Sequence, residues 1–133
     1  MTDVLALVHE MYRAIESGAH GDEVRTLFTD DVVTVERPNL ISPNGRISGL
    51  EQMTAASSAG AGLLARQTYD VISEVVVDDT AIVRLTWTGT VAVDAGPFHA
   101  GQELKAHIAQ FVTASDGRIS RIETYDCYEP FAA

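Results

Sequence analysis

The second half of the chain is an almost unbroken series of strand patterns, and this feature limits the possible folds more than any other. Runs rich in β-branched and aromatic residues alternate with short turn sequences from residue 67 onward. Long consecutive strands joined by short turns are typical of an antiparallel meander. The predicted strands are residues 67–77, 81–93, 103–114 and 118–130.

Helical patterns are confined to the first half of the chain. Apolar residues recur at helical spacing over residues 3–18, and a second short helix, capped by Asp22, is predicted for residues 22–28. A third helix is predicted for residues 51–66 and begins with a capping box formed by Ser48 and Glu51.

A strand of β-branched residues in "DVVTVERP", residues 31–38, separates these helices, and Pro38 ends it. Helices segregated from a meander define the α+β class. We expect residues 1–133 to form a single domain, in which a strongly curved antiparallel sheet carries the helices across its concave face. That arrangement would leave a cone-shaped pocket between them.

The charge balance limits the partners. Nine Lys+Arg against 19 Asp+Glu give a formal net charge of -10, which argues against nucleic acid and anionic membranes. We expect a small neutral or cationic molecule, or another protein. Cys127 is the only cysteine, so an internal disulfide is excluded and a cytoplasmic location is predicted. The first residues resemble neither a signal peptide nor a membrane span, and no residue spacing indicates a metal or cofactor.

The last strand places an acid on its covered face. Arg121 and Glu123 mark one face as solvated, while Ile122 and Asp126 share the other. A carboxylate there must be paired and hydrogen-bonded, or it is kept for chemistry. Asp126 is therefore either a catalytic acid or base, or a strand-end aspartate held by a backbone amide or an arginine.

The order of elements, together with "LFTDDVVTVERP" and "QFVTASDGRISRIETYD", resembles the nuclear transport factor 2-like superfamily over essentially the whole chain. Within it, the chain is most similar to the SnoaL-like polyketide cyclase and ketosteroid isomerase branch. The resemblance implies the cone-shaped fold of that superfamily. It does not by itself fix a reaction, because the superfamily hosts isomerases, cyclases, epoxide hydrolases, dehydratases and proteins without catalysis.

The resemblance also implies four cavity positions. Tyr12 matches a tyrosine of ketosteroid isomerases that donates a hydrogen bond to the developing oxyanion. Arg37 stands where those enzymes carry the catalytic aspartate, and His107 stands where they carry a protonated acid. Asp126 stands where those enzymes carry an apolar pocket residue. Three of the four groups therefore differ chemically from the isomerase, which argues against the isomerase reaction with that base.

These positions suggest particular roles. If His107 and Asp126 face each other, the carboxylate could fix the tautomer of the imidazole in a dyad; otherwise His107 is a half-buried structural histidine. Arg37 would either clamp a substrate or neutralise Glu36 or Asp126. Tyr12 is either an oxyanion donor or a core residue with a satisfied hydroxyl. Other residues are expected to form the pocket wall or fill the core beside it: Trp87, Leu85, Val83, Met53, Tyr69, Phe111 and Ile122.

Two classes of function follow. The first is a cofactor-free enzyme that removes a proton next to a carbonyl group with His107 or Asp126 and stabilises the enolate with Tyr12 and Arg37. Isomerisation, cyclisation and dehydration would all use this chemistry, and opening of an epoxide by activated water would use similar groups. The second is a non-catalytic module that binds a hydrophobic ligand or forms a homodimer through the outer face of the sheet, where Thr86, Thr88 and Tyr125 lie beside charges.

Overall fold

The strands of the second half form four consecutive members of a six-stranded open sheet in the computed structural model, which describes residues 3–131. Each of them pairs antiparallel with the next. The register shifts in the β3–β4 pairing and in the β5–β6 pairing, and such irregularities bend and twist a sheet. The strands are β3 Leu64–Val77, β4 Thr80–Val91, β5 Glu103–Ser115 and β6 Arg118–Tyr128.

Two further strands extend the sheet beyond β6. Strand β1, Phe28–Glu36, pairs parallel with β6, and the short β2, Arg46–Ser48, pairs antiparallel with β1. The strand order is therefore β2-β1-β6-β5-β4-β3. Gly45 lets β2 approach β1, because it has φ of 69° and a Cβ there would lie 2.6 Å from the Glu36 carbonyl oxygen. The parallel β1–β6 pair was not predicted from the sequence.

Helix α1, Val4–Glu16, covers the concave face as its apolar spacing predicts. Its buried residues Val4, Val8, Met11 and Tyr12 recur every three to four positions. The Asp3 carboxylate accepts a 3.1 Å hydrogen bond from the Ala6 amide at its N-terminus. The helix therefore presents Tyr12 to the interior.

The two other helices are shorter than predicted. Helix α2, Asp22–Arg25, is preceded by Gly21, so Asp22 is its first residue and not its cap. Helix α3, Leu50–Gly60, begins one residue later than the predicted box, and the Gly49 amide donates a 2.7 Å hydrogen bond to Gln52 Oε1. The pairing of Ser48 with Glu51 is wrong, because Ser48 belongs to β2.

The core lies between the helices and the concave face. Its largest fully buried side chains are Val8, Val32, Val83, Leu85, Val112 and Ile119. Helix α1 contributes one of these and the sheet contributes five, so most of the core is built on alternating strand positions. Among residues 3–131, no helix is long and apolar enough to span a membrane.

Candidate functional site

An apolar cavity of about 380 Å³ lies between helices α1 and α3 and the concave face of the sheet. A volume of this size is at the lower end for pockets that bind small organic molecules. Ten of the 17 described residues that line it carry a polar side chain, although most of the wall surface is apolar. The lining residues are Met11, Tyr12, Ile15, Val24, Phe28, Thr34, Glu36, Arg46, Ser48, Met53, Thr54, Ala56, Ser57, Tyr69, Gln110, Ile122 and Thr124.

Four of the polar residues form one row across the sheet, which we call the polar row: Arg46, Glu36, Thr124 and Gln110. Arg46 of β2 pairs with Glu36 of β1, Glu36 with Thr124 of β6, and Thr124 with Gln110 of β5. Directly paired residues of neighbouring strands point to the same face. The polar row therefore brings four strands to one side of the cavity.

A directed chain of hydrogen bonds connects helix α1 to Asp126 through this row. The Tyr12 hydroxyl donates to Gln110 Oε1 at 2.6 Å, and Gln110 Nε2 donates to Thr124 Oγ1 at 3.2 Å. Thr124 Oγ1 in turn donates to Asp126 Oδ1 at 2.5 Å. Because each proton points toward the carboxylate, the chain orients Asp126 as an acceptor.

The environment of Asp126 disfavours its charge. Burial raises the pKa of Asp126 above its ordinary value, the hydrogen bond from Thr124 lowers it in part, and the nearby charge of Glu36 raises it further. No ion pair with Lys, Arg or His is formed by Asp126 within residues 3–131. Asp126 is half-buried and is not itself among the lining residues; it lies two residues beyond the lining residue Thr124, on the same face of β6.

Two stacked tyrosines close the side of the cavity next to helix α1. The rings of Tyr12 and Tyr69 lie 4.6 Å apart at an angle of 15°. Burial raises the pKa of both phenols, and the negative charge of Asp126 adds to the shift for each. Both tyrosines are therefore neutral at physiological pH.

An ion pair forms the opposite end of the polar row. Arg46 Nη2 lies 3.5 Å from Glu36 Oε1, and Asn39 Nδ2 donates a 2.8 Å hydrogen bond to Glu36 Oε2. The Glu36 side chain is 15% exposed whereas that of Arg46 is 59% exposed. Arg46 therefore stands at the open edge of the cavity.

His107 does not face the cavity, so the predicted dyad with Asp126 is wrong. Its side chain is exposed and its Nε2 lies 2.8 Å from Glu129 Oε2. The register pairs His107 with Cys127, while Asp126 pairs with the buried Ile108. Positions 104, 106, 108, 112 and 114 of β5 are all buried, and this alternation turns the odd positions outward.

Phe111 is outward for the same reason and is not part of the cavity wall. Its ring contacts Tyr125 on the outer face, with centroids 6.1 Å apart. The inward residue next to Phe111 is Gln110, which lines the cavity and accepts the hydrogen bond of Tyr12.

Arg37 also lies on the outer face, which contradicts its predicted place in the cavity. Arg37 Nε donates a 2.9 Å hydrogen bond to Glu123 Oε2, and its guanidinium carbon lies 5.9 Å from the Tyr125 ring centroid. An ion pair was one of its two predicted roles, but the partner is Glu123 and not Glu36 or Asp126. Arg37 follows the inward Glu36, so alternation along the extended chain turns it outward.

The remaining wall residues divide between cavity and core. Met53, Tyr69 and Ile122 line the cavity. Val83, Leu85 and Trp87 are buried in the core and are not among the lining residues, so they do not form its wall. Trp87 Nε1 donates a 3.0 Å hydrogen bond to Gln67 Oε1 outside the cavity.

Most of the lining residues were missed from the sequence, and among them are all four members of the polar row. Thr124 could have been found, because it lies between Ile122 and Asp126 on the same alternation. Gln110 shares its parity with the apolar residues at 104, 106 and 108. Glu36 and Arg46 had no comparable signal, because their meeting depends on the β1–β2 pairing.

A model of the SnoaL-like domain family matches residues 8–122, so the chain belongs to the SnoaL-like domain family, within the nuclear transport factor 2-like superfamily. A comparison with curated protein sequences finds no match.

Solved structures share this fold at low sequence identity. AclR, a proposed hydroxylase from Streptomyces galilaeus, is 17% identical with a TM-score of 0.75, over 93% of this chain and 78% of that one. IdmH, a proposed polyketide cyclase from Streptomyces antibioticus, is 20% identical with a TM-score of 0.74, over 93% and 91%. An LEH-like epoxide hydrolase from M. tuberculosis is 14% identical with a TM-score of 0.69, over 95% and 82%.

Proposed function

We propose that this protein is a cofactor-free enzyme that removes a proton from the carbon next to a carbonyl group of a small, largely apolar molecule. Isomerisation, cyclisation and dehydration all begin with this step. The observation that carries the proposal is Asp126, a half-buried carboxylate beside an apolar cavity, held as an acceptor by the Thr124 hydroxyl.

The electrostatics support a role in proton transfer. A carboxylate whose pKa is raised by burial is a stronger base than an exposed one, and general bases work best when their pKa approaches the working pH. The chain from Tyr12 through Gln110 and Thr124 fixes the carboxylate in position. Tyr12 therefore positions the base through two intermediate side chains.

The test is the exchange of carbon-bound hydrogen for deuterium, followed by NMR, in a panel of flat polycyclic ketones and small enones. The wild-type protein should accelerate exchange at the carbon next to the carbonyl. Asp126→Asn should lose this acceleration by about 10²-fold or more, because the amide cannot accept the proton.

Asp70→Asn is a matched control, because Asp70 is exposed on β3 and lies outside the cavity. It should exchange at the wild-type rate. Equal rates in Asp126→Asn and the wild type would refute the proposal. Turnover of an aliphatic epoxide by the same panel of proteins, without exchange of any ketone, would favour water activation instead.

A second candidate function is a binding module that forms a homodimer and holds a hydrophobic ligand without turnover. The observation that favours it is the exposed apolar surface of the edge strand β3, where Ile72, Val75 and Val77 are 57%, 54% and 55% exposed. Val75→Lys should lower the mass measured by light scattering if this surface joins two copies. An unchanged mass would exclude this surface from the interface.

A further inference from the structure

Within the proposed function, a second protein group must stabilise the negative charge that moves from Asp126 to the substrate. When the proton moves from carbon to the carboxylate, the electron pair of the C–H bond forms the enolate double bond. The negative charge then resides on the former carbonyl oxygen. In an apolar cavity this oxygen needs a hydrogen-bond donor or a cation.

Tyr12, the donor expected from the family resemblance, already uses its one hydroxyl hydrogen in a hydrogen bond within the protein. A phenol carries one proton, and that of Tyr12 lies in the 2.6 Å hydrogen bond to Gln110 Oε1. If Tyr12 turned toward a substrate, Gln110 would lose this partner and the chain to Asp126 would be interrupted. The hydroxyl is therefore better suited to hold the base than to bind the oxygen.

Arg46 is the one Lys, Arg or His among the described residues that line the cavity. Its contact with Glu36 is long, at 3.5 Å, and is made by Nη2. A guanidinium carries five N–H donors, so this contact leaves several of them available. Glu36 has a shorter hydrogen bond from Asn39 at 2.8 Å, so it keeps a partner when Arg46 moves.

The spacing of the strands permits both groups to reach one substrate. Arg46 and Thr124 are separated by one intervening strand, hence by about 10 Å between their backbones, and Asp126 lies about 7 Å further along β6. The Arg46 side chain already reaches back to Glu36, which shortens this gap. A carbonyl compound whose acidic carbon contacts Asp126 places its oxygen on the order of 6 Å from the carboxylate.

We propose that Arg46 binds the enolate oxygen formed when Asp126 removes the proton, and that the substrate is an uncharged ketone or enone lying along the polar row. The charge shifts from Asp126 to the substrate oxygen and returns when the proton is delivered to the product carbon, so the net charge of the cavity is constant. A neutral substrate also suits a protein with a formal net charge of -10.

The test uses a series of para-substituted phenols of increasing acidity, whose oxygen imitates that of an enolate. Their dissociation constants are measured by calorimetry with the wild type, Arg46→Gln, Arg46→Lys and Tyr12→Phe. Affinity for the wild type should rise with phenol acidity. Arg46→Gln should flatten this dependence and weaken the most acidic phenol about tenfold or more.

Arg46→Lys should restore part of the dependence, because it restores the charge without the planar fork. Tyr12→Phe should keep the wild-type slope. Arg84→Gln is the control for the loss of one positive charge, since Arg84 is exposed on β4 and outside the cavity. It should bind every phenol as the wild type does.

Three results would each overturn the assignment to Arg46. The first is a wild-type dependence on phenol acidity in Arg46→Gln, and the second is the loss of this dependence in Tyr12→Phe. The third is a wild-type affinity that does not change with phenol acidity. Hydrogen exchange separates this failure from that of the proposed function. Exchange that is lost in Asp126→Asn but kept in Arg46→Gln leaves the base in place and removes Arg46 as the oxygen-binding group.

Discussion

The Tyr12 hydroxyl donates a 2.6 Å hydrogen bond to Gln110 Oε1 and so joins the first helix to strand β5 across the cavity. This contact spans 98 positions of sequence. It also decides which way the Gln110 amide faces, because its Nε2 must then serve Thr124. A single helix residue therefore determines the orientation of a chain that ends at Asp126.

The first prediction concerns the energetic coupling of this pair. Tyr12→Phe and Gln110→Met should each lower the free energy of unfolding by about 1 to 2 kcal/mol, because each leaves a polar partner unsatisfied in the interior. The double variant should lose less than the sum, by about 1 kcal/mol. Urea unfolding of all four proteins gives the coupling, and additive losses would show that the hydrogen bond contributes nothing net.

The second prediction concerns the pH dependence of stability. Burial raises the pKa of Asp126 above its ordinary value of 3.8. Below pH 3.8 the carboxyl group is protonated in both the folded and the unfolded state, so its burial as a charge does not lower the free energy of unfolding. As pH rises through the folded-state pKa, the native state must bear a charge that its interior disfavours, and the free energy of unfolding falls.

Asp126→Asn removes this penalty. The variant should therefore be more stable than the wild type at neutral pH, and its advantage should shrink as pH falls toward 3.8. Chemical unfolding at several pH values measures the difference between the two proteins. A difference that is constant with pH would mean that the pKa of Asp126 is the same in the folded and unfolded states.

The third prediction concerns residues on the outer face. His107→Ala and Arg37→Gln should leave the affinity of any cavity ligand within about twofold, because neither side chain faces the cavity. The dissociation constant of a ketone that binds the wild type is measured by titration for each variant. A large loss of affinity in His107→Ala alone would return that residue to the site.

The fourth prediction concerns the packing of Trp87. A Cβ at Gly89 would lie 2.6 Å from the Trp87 ring, so Gly89→Ala should displace the indole and cost about 1 to 3 kcal/mol of unfolding free energy. The fluorescence of this single tryptophan should change as well. Gly60→Ala is the matched control: a Cβ there meets nothing within 4 Å, and alanine favours a helix by up to about 1 kcal/mol.

The strands could be predicted from the sequence because alternation and turn residues are local signals. The end of helix α3 was predicted six residues too late, at 66 instead of Gly60, because the apolar Leu63 and Leu64 continue a helical pattern into β3. Tertiary pairing with β4 decides their conformation. Local propensity therefore failed where a strand partner from later in the chain takes over.

The site was harder to predict, because it depends on which face of the strand each side chain occupies. A shift of one residue moves a strand side chain to the opposite face. Asp126 was placed on the inner face from its own alternation, which the register supports. Alternation around His107 showed no clear polar side, so His107 was placed inward from the family resemblance alone. The even positions of β5, taken over its whole length, indicate Gln110 instead.

Strand β2 contributes Arg46 to the cavity but consists of only three residues at the margin of the sheet, paired on one side alone. Asp126, by contrast, stands on β6 between the longer strands β1 and β5. Amino-acid replacements in β2 therefore disturb few packed side chains. This margin is the natural place to change which ligand the cavity accepts while Asp126 and the hydrogen bonds that hold it are left intact.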